Sequence, residues 1–488
     1  MPQKNELGVL ILAAGLGTRM KSDLPKVLHM LGDMPLLTRV IKKIAHLNPS
    51  KIVIVVGHKA KMVKEALGGF LEKYPVKAPH FFGNRAKVRG KAEIVFVTQK
   101  LLKGSGRAVQ EAAPEIKKFR HTLVLCGDAP LFRTETLIKM RAFYLKNRPD
   151  CAVLTADLAE PGGYGRIKRD PPKLGGVEAI IEAPDASPAE LAIKEVNSGA
   201  YFFSTRALLA AIKRLKRKGS KKEYYLTDSV ENILKAGGQV LAFKTSDETE
   251  ITGINSRKDL AGAYKMLNKR VLEKLMAGGV TIADPENTYI EEGVKIGRDT
   301  VVAPGMHIRG ATVIGKNCKL GPYGLVEDCK IEDGVEIKFF SVLTLSRVRK
   351  GSVIGPFAHL RPASDVGPDG KVGNFSEIKK SRIGRGSKVP HLSYVGDTEM
   401  GERVNVGAGT ITCNYNGSAK HKTIIGKRAF IGSNTNLVAP VKVGAGARIA
   451  AGSTITEDVP PGTLALARAR QIIKKLKKRP APLETHKR

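Results

Sequence analysis

From Leu7 to about Asn255 the hydrophobic positions fall into short β-rich runs, such as KIVIVVG at 51–57, TLVLCGD at 122–128 and CAVLTAD at 151–157. Longer stretches with helical periodicity separate them. Such alternation builds a mostly parallel sheet with helices on its faces, so an α/β, Rossmann-like domain is expected over residues 1–255. Residues 256–280 read as one connecting helix, because Leu260, Tyr264, Leu267, Val271 and Leu275 recur at i, i+3/i+4 spacing.

From about residue 281 to 460 the helical period vanishes and an aliphatic-glycine pair keeps returning. Ile296-Gly297, Ile314-Gly315, Ile354-Gly355, Val372-Gly373, Ile383-Gly384, Val406-Gly407, Ile425-Gly426, Ile431-Gly432 and Val443-Gly444 carry it, several of them separated by 6, 12 or 18 residues. That arithmetic predicts a parallel β-helix with triangular coils of three hexapeptides, the aliphatic side chains stacked inside and glycine turning the corners. Irregular steps such as PDG at 368–370 are expected to bulge out as loops. A solenoid of this kind cannot bury its faces singly and is expected to trimerise. Residues 461–488 read as a basic tail.

Composition changes the picture in one respect. Lys and Arg outnumber Asp and Glu by 82 to 46, a formal charge of +36, with dense runs KRLKRKGSKK at 213–222 and KKLKKR at 474–479. Polyphosphate, nucleic acid or an anionic membrane would each suit that excess, although most of it is spread thinly. No apolar run reaches the roughly 18 to 20 residues that span a bilayer, which argues against membrane insertion. The N-terminus lacks an apolar signal segment, so a cytoplasmic protein is expected. Five cysteines at irregular spacing, with no CxxC pair, read as free thiols.

Candidate chemistry begins at LILAAGLGTRMKSDLPK, residues 10–26. A dinucleotide fingerprint needs a third glycine where Met20 stands, and the Gly-Lys-Ser/Thr of a Walker loop is absent. What remains is a strand, a turn of small residues at Ala13-Ala14-Gly15, and the cations Arg19 and Lys26. Backbone amides of such a turn cradle phosphate, and the cations add charge where a pentavalent phosphorus gains it. Gly127-Asp128 ends a predicted strand, where a carboxylate serves either as a turn cap or as a metal ligand. Near the other end, GNFSEIKKSRIGRGSKVPHLSYVGD is polar and irregular within an aliphatic solenoid, as functional sites are. It holds Glu377, Lys379, His391 and Tyr394. Imidazole titrates near neutrality and suits a general base, with Glu377 as the expected partner that fixes its tautomer.

The G-x-G-T-R-M and L-P-K elements resemble the signature of the sugar-1-phosphate nucleotidylyltransferases. From Leu10 to Arg468 the chain is similar to the bacterial bifunctional N-acetylglucosamine-1-phosphate uridylyltransferase/glucosamine-1-phosphate N-acetyltransferases, which implies that the β-helix is left-handed. The resemblance implies uridylyl transfer from UTP to N-acetylglucosamine 1-phosphate in the first half. It places Leu12, Ala13, Ala14, Gly15, Lys26, Gln99, Gly104, Ser105, Cys126, Gly127 and Asp128 around the nucleotide, and Gly165, Glu182 and Asn197 on the sugar. Asp128 and Asn255 match the ligands of one or two Mg²⁺ ions.

In the second half it implies acetyl transfer from acetyl-CoA to glucosamine 1-phosphate, with His391 as base. Arg361, Lys379, Tyr394 and Asn405 match the sugar-phosphate pocket, and Ala408, Asn414, Tyr415, Ser433, Ala451 and Arg468 match the acetyl-CoA contacts. The chain departs from the pattern at Leu102, where a glutamine is usual, at Cys126, usually tyrosine, at Pro184, and in a longer segment over 72–98. Two alternatives stay open at this point: an acetyltransferase with altered nucleotide choice, and a non-catalytic regulatory relative. Intact Arg19, Lys26, Asp128, Asn255 and His391 favour an enzyme, with nucleic acid not among the expected partners.

Overall fold

A computed structural model describes residues 5–73, 92–170, 175–217 and 222–476. Most of the longer 72–98 segment, part of the 213–222 run and part of the tail's basic cluster therefore lie outside the described residues. The chain forms two compact units, Met1–Leu267 and Asn268–Arg488.

The first unit is built on strands β1 (Asn5–Ala13), β2 (Lys51–Val56), β3 (Glu93–Thr98), β4 (Phe119–Cys126), β5 (Cys151–Asp157), β6 (Glu195–Ser204) and β7 (Val240–Lys244). Their order across the sheet is β7-β5-β6-β4-β1-β2-β3. All neighbours are parallel except β6, which runs antiparallel to both β4 and β5. The short strands Arg166–Arg169 and Val177–Ile181 extend the sheet beside β6. Burial on both faces explains the unbroken aliphatic runs: Val9, Ile11, Ile52 and Ile54 pack into one core, and Leu10, Val53, Val55 and Val124 into another. Helices α1 (Leu36–Ile44), α2 (Ala60–Lys73), α3 (Ser105–Ile116), α4 (Thr134–Asn147), α5 (Thr205–Lys213) and α6 (Asp228–Lys235) connect the strands. The carboxyl ends of β1, β2, β3 and β4 lie side by side, the usual place for ligands in an open α/β sheet.

Helix α7 spans Arg257–Ala277. Its Leu260, Tyr264 and Leu267 pack with Leu31, Leu36 and Ile254 of the first unit. In the second unit, Val271, Leu272 and Leu275 cover Val280, Ile282 and the first coil of the solenoid.

The second unit is a parallel β-helix of three sheets with 11, 10 and 9 strands. Register partners Ile290, Ile308, Val326 and Leu343 recur once per coil, each buried inside it. The hexapeptide reading is thereby met, with two corrections. First, most of the glycines that follow the aliphatic residues do not turn corners by a left-handed backbone. They are small because successive coils approach closely: a Cβ on Gly297 would stand 2.7 Å from the backbone of Gly315. The left-handed corner positions are held instead by residues such as Tyr323, Phe340, Phe357, Phe375 and Leu392. Second, PDG at 368–370 is no bulge, since Val348↔Val366 and Val366↔Ile383 keep the ordinary spacing and Asp369 sits in a tight turn. The extra chain is at 414–422, so that Met400 pairs with Ile425, well past the place where an ordinary coil would have returned.

Candidate active sites

In the first unit, β1 ends at Ala13 and the chain turns through Gly15 and Gly17. Gly17 has φ +63°, and a Cβ there would lie 2.7 Å from Cβ of Lys26, so glycine lets the loop fold back upon that lysine. Lys26 is mostly buried. Its ammonium donates to an Asp128 carboxylate oxygen and, at 3.0 Å, to Oδ1 of Asn255, far away in the chain. Two backbone bonds build this meeting: Gly127 N–H donates to Leu12 O at 2.9 Å, and Ile254 N–H donates to Asp128 O at 2.9 Å. Asn255 is fixed further at the mouth of α7, where its N–H and that of Ser256 both reach Asp259 Oδ2, at 3.0 and 2.9 Å. Arg19 stands exposed on the turn after Gly17.

Two hard oxygen donors converging on an ammonium mark a place already built for a cation, and carboxylate plus amide oxygen is a donor set that suits Mg²⁺. Among the described residues no group of three or more His, Cys, Asp and Glu is clustered for metal binding. Such a pair of ligands therefore fits an ion completed by water and phosphate oxygens.

Gln99 is buried, and its amide donates to Leu101 O at 2.9 Å and Gly104 O at 3.2 Å, shaping the loop before α3. Leu102 lies against this loop's neighbour, with Cδ2 2.7 Å from where a Cβ on Gly57 would stand. Ser105 Oγ accepts Leu226 N–H at 3.0 Å, a bond that does not use the hydroxyl's own proton. Tyr224 N–H and Gly106 N–H complete the stitch by donating to Lys103 O and Tyr224 O, both at 2.8 Å.

The residues expected on the sugar gather along β6. Asn197 N–H donates to Gly165 O at 2.8 Å, and its amide to the Tyr201 hydroxyl at 2.6 Å. The register of β6 shifts between Asn197 and Tyr201, a bulge that re-aims side chains at a strand end. Cys126 sits beside Gly199. Burial, and then the Asp128 carboxylate, push its thiol up to about 12. Burial likewise raises the Glu182 carboxyl, opposed by the Thr227 hydroxyl, which donates to Glu182 Oε1 at 2.7 Å. Asp228 and Asp185 add to the rise. Thr227 escaped the sequence reading, because a threonine preceding a helix reads as an ordinary cap.

In the second unit the register gathers the expected acetyl-transfer residues. Asn374 pairs with His391, Lys388 with Asn405, Val406 with Ile431, and Ile431 with Ile449. Two residues beyond these buried aliphatics, Asn374, His391, Ala408, Ser433 and Ala451 therefore occupy one corner of successive coils. Arg468 reaches back to this corner, donating from Nη1 to Ala451 O at 2.8 Å. On the adjoining sheet lie Arg361, Glu377, Lys379 and Tyr394, with Glu377↔Tyr394 and Lys379↔Gly396 in register.

Glu377 is not the partner of His391. It accepts from Arg361 Nη1 at 2.8 Å, while His391 Nδ1 lies 2.6 Å from Asn374 Oδ1. The reason is topological: His391 and Asn374 are neighbours on one sheet, and Glu377 lies beyond the corner. Further residues join the pocket from the 414–422 loop and its base. Asn414 donates to Asp397 Oδ2 at 2.6 Å and to the Tyr394 hydroxyl at 3.4 Å. The Tyr415 hydroxyl is engaged by Gly417 O within the loop. Lys420 lies against Lys379, and the like charge pulls its ammonium pKa down. Asp397 and Lys420 were missed, for nothing in a lone lysine or aspartate betrays a partner in the next coil.

Residues 9–231 match the MobA-like NTP transferase domain and residues 422–457 the bacterial transferase hexapeptide repeat. The chain is 43 % identical over 479 residues to the bifunctional protein GlmU of Geotalea uraniireducens, covering 97 % of this chain and 100 % of that protein. The chain belongs to the GlmU family. Its likeness to the GlmU of Geobacillus sp. is 45 % over 467 residues, and to that of Carboxydothermus hydrogenoformans 44 % over 465 residues, each covering 95 % of this chain. As a GlmU family member the chain pairs a Rossmann-like nucleotidyltransferase with a left-handed β-helix acetyltransferase, the two activities of UDP-N-acetylglucosamine synthesis. Nucleotide and acetyl-CoA are the co-substrates of this pair. No helix among the described residues is long and apolar enough to cross a membrane.

Proposed function

We propose that the two clusters are the two active sites of this synthesis, acetylation first and uridylylation second, in the cytoplasm. The observation that carries the reading is the separation of the chemistry: Lys26, Asp128 and Asn255 meet in one unit, and His391, Lys379 and Tyr394 lie on neighbouring coils in the other.

In the uridylyl site a phosphate oxygen of N-acetylglucosamine 1-phosphate attacks the α-phosphorus of UTP in line, and pyrophosphate leaves. No protein nucleophile is needed, because positioning and charge neutralisation supply the rate. Lys26 and Arg19 offset the charge gathering on the phosphoryl oxygens, and the amides after Ala13 cradle the phosphates. Asp128 and Asn255 are the side chains that would hold Mg²⁺, which supplies Lewis-acid neutralisation of the triphosphate. Gly165, Glu182 and Asn197 bind the sugar, and Gln99 and Gly104 shape the nucleotide loop. Ser105 supports that loop by accepting Leu226 N–H, which leaves its O–H to donate to the nucleotide.

In the acetyl site the amine of glucosamine 1-phosphate attacks the thioester carbonyl of acetyl-CoA. A C–N bond forms, His391 takes the amine proton, and the C–S bond breaks to release the coenzyme A thiolate, to which the imidazolium returns a proton. Arg361, Lys379 and Lys420 supply charge for the sugar phosphate, and Tyr394 and Asn405 line the pocket. The corner of Ala408, Ser433 and Ala451 offers a narrow track for coenzyme A, with Arg468 at its edge and Asn414 and Tyr415 beside it.

A homotrimer through the β-helix is supported by an exposed apolar ridge. Tyr323, Phe340, Phe357 and Phe375 stack ring on ring at 5.5, 5.3 and 5.1 Å along one corner, although each is two-fifths exposed or more.

The test is a crossed pair of substitutions. His391→Ala is expected to abolish acetyl transfer and leave pyrophosphate release from UTP intact, and Asp128→Ala to do the reverse. Acetylation at the wild-type rate by His391→Ala would remove the base from the mechanism.

A further inference from the structure

We propose that Asn374 is the positioning residue of the acetyl site: its side-chain carbonyl holds the His391 imidazole in the tautomer that leaves Nε2 free to take the amine proton. The inference rests on the assignment of His391 as the base.

The geometry is short and specific. Asn374 Oδ1 lies 2.6 Å from His391 Nδ1, and the two residues are direct register partners on neighbouring strands, Lys371–Asn374 and Lys388–His391. The backbone bond Leu392 N–H to Asn374 O, 3.1 Å, locks the same two turns together. An amide oxygen can only accept, so the ring nitrogen facing it carries the proton and the far nitrogen keeps its lone pair. A base whose ring is held by one bond at Nδ1 presents Nε2 in one direction, which proton transfer requires.

A neutral partner also differs chemically from the carboxylate that histidines commonly face. A carboxylate beside Nδ1 stabilises imidazolium and so favours the protonated ring, which cannot act as a base. The carboxylate expected here, Glu377, is tied to Arg361 at 2.8 Å, and Asp397 accepts from Asn414 at 2.6 Å. The same two strands carry the cations Lys371 and Lys388, and Lys379 and Lys420 lie against each other. Asn374 thus orients the ring while adding no charge, and this division leaves Glu377 and Arg361 to the sugar phosphate.

The experiment uses the full chain and follows release of the coenzyme A thiol from acetyl-CoA with glucosamine 1-phosphate, taking kcat and KM across pH. Asn374→Asp keeps the shape and the acceptor but adds a charge. It is expected to move the acidic limb of kcat/KM upward by about one pH unit or more. Asn374→Leu removes the acceptor and is expected to lower kcat about tenfold to a hundredfold with KM for the sugar phosphate little changed. Pyrophosphate release and the thermal unfolding curve of each variant report whether the two units are folded. A pH profile for Asn374→Asp that overlays the wild type, or full kcat in Asn374→Leu, would overturn the proposal. His391→Ala run alongside separates the two ideas: if it still acetylates, the base assignment itself fails, and if it is dead while the Asn374 variants behave as wild type, only the positioning role fails.

Discussion

Thr227 offers a sharp test of how the uridylyl site is built. Its hydroxyl donates to Glu182 Oε1 at 2.7 Å from a side chain that is itself buried, and Glu182 sits where burial and two neighbouring aspartates oppose its charge. Replacing Thr227 by valine keeps the shape and deletes a hydrogen bond that favours the carboxylate, so the Glu182 pKa rises further. A hydrogen bond to a charged group contributes about 1.5–3 kcal/mol. If Glu182 holds a sugar hydroxyl as proposed, protonation and loss of aim weaken that hold by at most the same energy, up to roughly tenfold to a hundredfold at about 1.4 kcal/mol per decade. The assay is steady-state uridylyl transfer at several pH values, reading KM for N-acetylglucosamine 1-phosphate. KM should rise by that factor while KM for UTP moves little.

The pH sign follows from the direction of the shift. A carboxyl raised in the folded state binds more protons folded than unfolded, so it costs stability as pH rises from its unfolded pKa through its folded one. Thr227→Val should therefore lose stability at neutral pH and regain wild-type stability below the ordinary carboxylate range. An unchanged KM for the sugar phosphate, with the unfolding midpoint lowered equally at all pH values, would refute the coupling of Thr227 to Glu182.

Other outcomes test separate parts of the molecule. Phe357→Asp, in the middle of the aromatic ridge, is expected to dissociate the proposed trimer, since burying each ring is worth about 1.5–3 kcal/mol. Sedimentation would show a folded monomer, and an intact trimer would move the interface elsewhere. Cys126, with its thiol pushed up to about 12, should resist iodoacetamide at neutral pH, as read by peptide mass spectrometry. Alkylation at the rate of an ordinary exposed thiol would contradict the burial that raises it.

Much of the fold is written in short-range pattern. Unbroken aliphatic runs in the first half require a sheet covered on both faces, and an aliphatic return once per three hexapeptides requires stacked coils, because which face a side chain takes depends on its immediate neighbours. The motif residues were legible for the same reason: Gly17, Arg19, Lys26 and Asp128 lie on turns whose chemistry is local.

What the tertiary structure decided is who meets whom. Lys26 and Asn255 are joined only because Asp128 O receives the N–H of Ile254, a bond between segments distant in the chain. His391 faces Asn374 and not Glu377 because coil length sets the register, and one residue of register changes the partner around a corner. The same cause moved the protruding loop from 368–370 to 414–422: a Pro-Asp-Gly turn looks like a loop in sequence, but only the length of chain between stacked strands shows which coil has residues to spare. Identity of elements is a local property of this chain, and partnership within its sites is a property of register, which is fixed only when the coils and strands are stacked.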